Sequence, residues 1–179
     1  MDKSIEEWLN YIKDSVNPLT FLIPPDSYDY VNYMITENGA ILMNTPEPLD
    51  LSTIEVPRTF KGWPVIELGG LFTHWKNTKN IILPNSIKKL DYTFYQCRGL
   101  ERITIPESVE TITAETFFEC NSLIEVKILG PITEIPDDCF TFCQRLKSIV
   151  VPSSVKKIGS TAFYRCDQLI DIYFTGTQE

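Results

Sequence analysis

The sequence predicts a β-rich α+β solenoid of about five to six stacked coils, capped at its N-terminal end by a helix and a β-hairpin. Three columns of identical residues recur with a period of 23 residues. The columns are Phe94, Phe117, Phe140 and Phe163; Cys97, Cys120, Cys143 and Cys166; and Leu100, Leu123, Leu146 and Leu169. A fixed period of this size is the signature of an architecture in which each unit stacks on its neighbour.

Each repeat unit combines a short strand with regularly spaced apolar positions. In one copy Ile103, Thr104 and Ile105 alternate apolar and polar side chains, which is typical of a half-buried strand. Pro106 ends this strand because proline has no N–H to donate to a neighbouring strand. One unit buries about six apolar side chains, too few to offset the entropy lost in ordering the chain. The units therefore have to stack in order to fold.

Three departures from the repeat mark its irregular places. A degenerate first copy over residues 51–75 carries a five-residue insertion after Pro57 and has Trp75 in the cysteine column. In the fourth copy Leu129 replaces the proline that ends the strand. A half-copy over residues 169–177 follows the last complete unit.

The repeat pattern closely resembles the BspA-like leucine-rich repeats of many bacterial and some protist proteins. The resemblance covers residues 49–177 and implies a leucine-rich-repeat solenoid that recognises other macromolecules. We accordingly divide the chain into an acidic N-terminal cap, residues 1–48, and a solenoid domain, residues 49–179.

The N-terminal cap is predicted from local signals. Ser4 and Glu7 form a capping box at the start of an amphipathic helix that ends before Pro18. Two β-rich runs then flank Asn38-Gly39, a pair typical of a type I′ hairpin turn. This helix and hairpin are expected to cover the open end of the first coil.

The negative charge of the protein is concentrated in the cap. Residues 1–50 hold nine Asp and Glu against two Lys, a net charge of −7, whereas residues 51–179 hold fifteen acidic and fourteen basic residues, a net charge of −1. Within the cap, an acidic and aromatic patch is a candidate surface for a basic partner. Its residues are Asp26, Tyr28, Asp29 and Tyr30.

Composition argues against several classes of protein. No window approaches the roughly 18 consecutive apolar residues of a membrane span, and the first residues carry carboxylates where a secretory signal would be apolar. Five cysteines, an odd number, argue against a disulfide framework and favour a reducing, cytoplasmic setting. Overall acidity disfavours direct binding to nucleic acid. No cofactor or metal is expected, and the cysteine column is interpreted as buried structural thiols.

Few residues of the sequence are candidates for a catalytic role. The single histidine, His74, occupies a variable position of the repeat, and adjacent Asp137 and Asp138 are expected in a solvated turn. No established catalytic or phosphate-binding motif is present. The sequence therefore predicts a protein that is not an enzyme, with paired carboxylates at Asp137 and Asp138 as a remote alternative.

A partner surface is predicted on the strand positions that point away from the core. Two columns align across the repeats, a central column through Thr104 and a flanking column through Arg102. The candidate binding residues on these columns are Ile82, Arg102, Thr104, Glu125, Lys127, Val150 and Tyr173. Apolar and charged side chains together are what a modest protein interface uses. A second aromatic row, at Tyr95, Phe118 and Tyr164 with a gap at Thr141, ranks below this surface.

The functional prediction is a protein-binding module that blocks or tethers another protein, in the manner of an intracellular inhibitor, immunity or anti-defence factor. One alternative is a nucleic-acid mimic that occupies a basic cleft through residues 1–50; another is a fragment of a surface adhesin. Because few residues follow the last predicted strand, its edge is also expected either to support end-to-end self-association or to be covered by a partner.

Overall fold

The computed structural model describes residues 31–45, 47 and 52–175. The predicted N-terminal helix and the candidate patch at Asp26, Tyr28, Asp29 and Tyr30 lie outside these residues. The described ranges contain fourteen strands and no helix, so they hold no helix of the length and apolarity that crossing a membrane requires.

The strands are numbered in chain order. They are β1 (Asn32–Ile35), β2 (Ala40–Met43), β3 (Thr53–Glu55), β4 (Thr59–Phe60), β5 (Trp63–Gly69), β6 (Asn80–Ile82), β7 (Lys89–Asp91), β8 (Arg102–Ile105), β9 (Thr111–Ile112), β10 (Glu125–Ile128), β11 (Glu134–Ile135), β12 (Ser148–Pro152), β13 (Lys157–Ile158) and β14 (Asp171–Thr175).

Each coil contributes one strand to a parallel sheet of six strands, which we call the long sheet. Its order is β14-β12-β10-β8-β6-β3. The return strands form a second sheet in the order β1-β2-β5-β7-β9, with β4 paired to β5, and a separate pair, β11-β13. The predicted solenoid of about six turns is therefore confirmed.

The core consists of the columns found in the sequence. The Phe94, Phe117 and Phe140 side chains are fully buried, and the rings of successive coils stack with centroids 4.9–5.5 Å apart. Phe72 adds one further ring at the N-terminal end of this stack. The thiols of Cys97, Cys120 and Cys143 are also buried, and the cysteines are free. Identical coils place identical residues above one another, which is why one period predicted these columns of the core.

The turns on the side opposite the long sheet are also joined from coil to coil. The Phe94 N–H donates to the Thr116 carbonyl at 2.9 Å, and the Gln96 N–H donates to the Phe118 carbonyl at 2.7 Å. The same pair of bonds recurs in the neighbouring coils. Backbone ladders therefore fasten the solenoid on both sides of its core.

The predicted cap hairpin is present, but its predicted turn type is wrong. β1 and β2 pair in antiparallel fashion, and β2 extends the second sheet by pairing with β5. A type I′ turn needs positive φ at both central residues, yet Asn38 does not have it. The Thr36 hydroxyl instead accepts hydrogen bonds from the N–H groups of Asn38 and Gly39. A side-chain oxygen thus organises this turn.

Gly39 serves packing in this hairpin. A Cβ there would lie 2.5 Å from the Pro64 carbonyl oxygen of β5. The type I′ geometry occurs in the first-repeat insertion, where Lys61 and Gly62 have φ of 50° and 80° between β4 and β5.

The N-terminal segment is fastened to the first complete turn through Glu47. Its carboxylate accepts hydrogen bonds from the backbone N–H groups of Lys76, Asn77 and Thr78 at 2.5–2.9 Å. In the next coil the Gly99 N–H donates to the Trp75 carbonyl of the coil before it. Glu47 therefore supplies the acceptor that a preceding coil would otherwise provide. The proposed division between residues 48 and 49 falls outside the described residues and stays a prediction.

Candidate partner-binding face

The outer face of the long sheet carries the two predicted columns in register. Along the flanking column the paired residues are Thr53, Asn80, Arg102, Glu125, Ser148 and Asp171. Along the central column, Glu55 pairs with Ile82, Lys127 pairs with both Thr104 and Val150, and Val150 pairs with Tyr173. The residues between these columns point inward; for example, Ile103 and Val126 are buried.

A groove of about 570 Å³ opens on this face across β6, β8 and β10. Its lining residues are Asn80, Ile81, Ile82, Leu83, Asn85, Arg102, Ile103, Thr104, Pro106, Glu107, Glu125, Lys127 and Leu129. Five of the candidate residues therefore come together: Ile82, Arg102, Thr104, Glu125 and Lys127. Val150 and Tyr173 lie on the same sheet face but outside the groove, on β12 and β14.

The side chain that completes the groove is Leu129, which was not among the candidate residues. At the equivalent position of other coils, Pro84, Pro106 and Pro152 are buried, whereas Leu129 is 36% exposed. Leu129 has an N–H, unlike proline, and donates it to the Ile105 carbonyl at 3.0 Å. The departure of the fourth copy from the proline column was therefore the signal of this site in the sequence.

Gly130 explains the course of the backbone after Leu129. A Cβ at Gly130 would overlap the Val109 carbonyl oxygen of the preceding coil. Only glycine lets the backbone approach the neighbouring coil this closely. The neighbouring residues Leu129 and Gly130 thus form one local irregularity at the end of β10.

Charged groups surround the apolar part of the groove. Arg102 Nε lies 3.6 Å from Glu125 Oε2, and both side chains are more than half exposed. Lys127 is the next residue of β10 that points outward after Glu125. It is exposed and makes no ion pair within the described ranges. An exposed pair of this kind contributes little to stability. Its side chains remain available for charged groups of a partner.

Tyr173 differs from the groove residues in its surroundings. It is 54% exposed, and the neighbouring Asp171 carboxylate raises its pKa above the ordinary value.

The second aromatic row, on another side of the solenoid, is continuous. Tyr95 and Phe118 stack with centroids 5.3 Å apart, and Phe142 contacts both Phe118 and Tyr164 edge-on. Phe142 follows Thr141 and fills the gap expected at that residue. These rings pack against one another along the solenoid, and Tyr164 at the end of the row is exposed.

The candidate acids of the remote catalytic alternative are part of the backbone scaffold. Asp137 Oδ1 accepts hydrogen bonds from the Thr161 N–H and the Ser160 hydroxyl of the next coil, each at 3.2 Å, and these bonds lower the pKa of Asp137. Asp138 accepts a hydrogen bond from the Thr141 hydroxyl. The Asp137 carboxylate therefore joins two neighbouring turns, and the Asp138 carboxylate is held within its own turn.

Other reactive side chains are similarly placed. His74 is exposed and meets the Tyr95 ring edge-on at 5.9 Å. Burial raises the pKa of the Cys97 thiol to about 12, so this thiol is not a nucleophile at neutral pH. Among the residues that the structure describes, no three His, Cys, Asp or Glu side chains are grouped as metal ligands would be.

The fold and its repeats define the class of the protein as a leucine-rich-repeat solenoid. A family model for the BspA type leucine rich repeat region matches residues 69–179 in six copies, and the chain belongs to this family. No curated protein matches the sequence.

Solved structures of bacterial leucine-rich-repeat proteins share the fold. A T. pallidum leucine rich repeat protein is 27% identical, with a TM-score of 0.74 over 83% of this chain and 71% of that one. A leucine-rich repeat protein from Eubacterium ventriosum is 20% identical, with a TM-score of 0.66 over 79% of this chain and 39% of that one. A third leucine-rich repeat protein, from Bacteroides ovatus, is 22% identical, with a TM-score of 0.51 over 86% of this chain and 53% of that one.

Proposed function

We propose that the chain is a binding module that holds a partner protein on the outer face of its long sheet. The observation that carries this proposal is the groove in which Leu129 and Ile82, 36% and 50% exposed, lie among Arg102, Glu125 and Lys127. Protein interfaces commonly combine an apolar centre with a polar rim that remains accessible to water.

The rigidity of this face supports the proposal. Strands β8 and β10 pair over four residues, and backbone bonds on the turn side hold the same coils from behind. A preformed surface loses little conformational entropy when it binds. The groove is therefore suited to a folded partner that offers an apolar side chain between charged groups.

The proposal includes no catalytic step. The support is that Asp137 accepts hydrogen bonds from the next turn, that Asp138 accepts one within its own turn, and that burial raises the pKa of the Cys97 thiol to about 12. Membership of a leucine-rich-repeat family agrees with this assignment.

In its finer form, the proposal is that the bound partner is blocked, as by an intracellular inhibitor. A rigid face that covers a partner surface would exclude other ligands from it. The nucleic-acid mimic and the surface adhesin stay predictions. Seven of the nine acidic residues of segment 1–50 lie outside the described residues, and Glu47 is engaged by backbone N–H groups.

Affinity capture with matched variants tests the proposal. The immobilised chain is compared with Leu129→Arg, which places a third cation in the groove, and with Tyr164→Arg as a control. Both residues are exposed and apolar, but Tyr164 belongs to the aromatic row. The expected result is a protein from the source cells that the native chain and Tyr164→Arg retain and that Leu129→Arg loses.

The same comparison can overturn the proposal. Retention of one set of proteins by all three chains, or equal loss in both variants, would exclude the groove as the binding surface. Circular dichroism must first show that Leu129→Arg keeps its strands. The inhibitor hypothesis is then tested by adding the native chain and Leu129→Arg to the captured protein in an assay of that protein's activity.

A further inference from the structure

Asn38 has an exposed side chain and is followed by glycine in the turn between β1 and β2. It is the one asparagine of the sequence that glycine follows. Within the described residues its side-chain amide makes no hydrogen bond. The amide is therefore free to turn toward the next peptide unit, where Gly39 has no Cβ to obstruct it. Asparagine is also among the thermally labile residues of proteins.

The backbone nitrogen of Gly39 is held by a bond that is local to the turn. Its N–H donates to the Thr36 hydroxyl at 3.2 Å and not to a neighbouring strand. The Gly39 carbonyl continues the pairing of the hairpin, because it accepts the Thr36 N–H at 2.9 Å. The bond at the nitrogen can therefore open without separating β1 from β2. Local openings of this kind require much less free energy than global unfolding.

We propose that Asn38 is a site of spontaneous covalent modification, in which the Gly39 nitrogen attacks the side-chain Cγ of Asn38. Both reacting groups belong to adjacent residues, so the reaction is intramolecular and ring closure is favoured. The new N–Cγ bond closes a succinimide ring. The proton of the Gly39 nitrogen passes through solvent to the side-chain NH₂ group, which leaves as ammonia.

Water then opens the succinimide at one of its two carbonyl carbons. Addition at Cγ breaks the Cγ–N bond and gives aspartate with the ordinary backbone. Addition at the backbone carbonyl carbon breaks its bond to the Gly39 nitrogen and gives isoaspartate, in which the chain continues through the side chain of residue 38. Ammonia is lost and water is gained in both cases, so the reaction needs no oxidant or reductant.

The packing of Gly39 makes the hairpin sensitive to the isoaspartate product. Gly39 is buried, and a Cβ on it would lie 2.5 Å from the Pro64 carbonyl oxygen and 2.8 Å from Ile66 Cγ2. Isoaspartate inserts one more carbon into the backbone directly before this residue. Since there is no room for displacement toward β5, the turn must shift outward and the pairing of β1 with β2 is weakened.

Asn85 provides a comparison within the same chain. It is also exposed in a turn, but Ser86 follows it. A Cβ on the following residue restricts the backbone conformations from which the ring can close. The difference in rate between Asn38 and Asn85 therefore measures the effect of the Asn38-Gly39 turn.

Ageing of the folded 179-residue chain tests the proposal. Samples kept for several weeks at pH 8 and at pH 9 are digested in acid and analysed by mass spectrometry, with fragmentation that separates aspartate from isoaspartate. We expect conversion at Asn38 to be several times faster than at Asn85. It should also be faster at pH 9 than at pH 8, because the peptide nitrogen must lose its proton to react. Asn38→Gln keeps an exposed amide but would have to close a larger ring, and it should not convert.

The same samples can overturn the proposal. A chain unfolded in urea gives the rate at which the Asn38-Gly39 unit reacts when no fold restrains it. If that chain converts at Asn38 while the folded chain converts no faster there than at Asn85, the hairpin protects Asn38 and the proposal is wrong. Equal release of ammonia by the native chain and Asn38→Gln would place the modification elsewhere.

Thermal unfolding separates the effect of the longer backbone from that of the added charge. Freshly purified Asn38→Asp carries the charge of both products on an ordinary backbone. The isoaspartate form, isolated by ion exchange, is expected to unfold at a lower temperature than the native chain and Asn38→Asp. Equal unfolding temperatures of isoaspartate and Asn38→Asp would show that the hairpin accommodates the insertion and would overturn this part of the proposal. None of these outcomes depends on the partner of the groove.

Discussion

The thiol of Cys143 donates a hydrogen bond to the carbonyl oxygen of Phe117, 3.0 Å away in the preceding coil. Cys120 makes the same bond to Phe94, and Cys166 to Phe140, each at 3.1 Å. The repeated cysteine is therefore both a small apolar filler and a second donor to a carbonyl oxygen that already accepts a backbone N–H, as that of Phe117 does from Cys120. This double use explains why one residue type fills the column.

Removing this donor should destabilise the solenoid. Cys143→Ala leaves the Phe117 carbonyl without the thiol and opens a small cavity, for an expected loss of about 1–3 kcal/mol in the free energy of unfolding. Cys143→Ser keeps a donor and should recover part of the loss. Urea denaturation under reducing conditions measures both variants. A serine variant no more stable than the alanine variant would show that the hydrogen bond contributes nothing.

The buried thiols also predict a stability that falls in alkaline solution. Desolvation raises the pKa of Cys97 and of Cys166 from 9.0 to about 12 in the folded state. Above pH 9 the unfolded chain therefore loses thiol protons that the folded chain keeps, and the unfolded state is favoured. This contribution to stability is complete below pH 9 and is lost as the pH rises toward 12.

Denaturation at a series of pH values between 8 and 11, with a reductant present, measures this loss. Lys89, whose pKa is raised by its hydrogen bond to Glu67, acts in the same direction at the upper end of the range. Thiolate absorbance in the ultraviolet separates the contribution of the thiols from that of Lys89, since the folded chain should show little thiolate absorbance at pH 10. A free energy of unfolding that is constant from pH 8 to 11 would contradict the prediction.

The sequence predicted the core because repetition makes local information regular. Every coil of the same length places its Phe, Cys and Leu above those of the coil before, so periodicity alone located Phe117 and its neighbours in the core. The strand register on the outer face followed for the same reason. Apolar and polar side chains alternate on either side of Thr104, and this alternation sets which side chains point outward. Parallel stacking of the coils repeats the same alternation in each strand.

The features that the sequence did not predict depend on particular contacts outside the repeat pattern, one within the hairpin turn and one between neighbouring coils. Asn38-Gly39 and Lys61-Gly62 have similar local signals, but the Thr36 hydroxyl decides the first turn and only the second takes positive φ twice. Likewise, the exposed Leu129 is followed by Gly130, whose backbone approaches Val109 of the preceding coil closely. Neither contact follows from the 23-residue period, although the break in the proline column at Leu129 marks the place of the second one.

Glu47 should contribute more to the free energy of unfolding than an ordinary surface carboxylate of the acidic N-terminal segment. Glu47→Ala removes the acceptor of three backbone N–H groups at residues 76–78, and we expect a loss of about 1–3 kcal/mol in the free energy of unfolding. Glu37→Ala is the matched control, because it removes the same charge from an exposed position in the hairpin turn. Equal effects of the two substitutions in chemical denaturation would show that Glu47 acts only through its charge.

Non-glycine residues with a left-handed backbone give a prediction of increased stability, whereas the preceding substitution is predicted to decrease it. One position of the turn has φ between 54° and 66° in five successive repeats, at His74, Gln96, Glu119, Phe142 and Arg165. This conformation costs an L-residue about 1–2 kcal/mol and glycine almost nothing, while glycine makes the unfolded chain more flexible. Arg165→Gly, at an exposed site, should therefore raise the free energy of unfolding by about 0.5–1 kcal/mol.

The control for this gain is Arg145→Gly, because Arg145 is also exposed in a turn but does not have positive φ. There glycine relieves no strain and only increases the entropy of the unfolded chain, so the substitution should destabilise the protein by a few tenths of a kcal/mol to about 1 kcal/mol. Thermal and urea denaturation of the two variants give the comparison. If Arg165→Gly is destabilising to the same extent as Arg145→Gly, the turn carries no strain at that position.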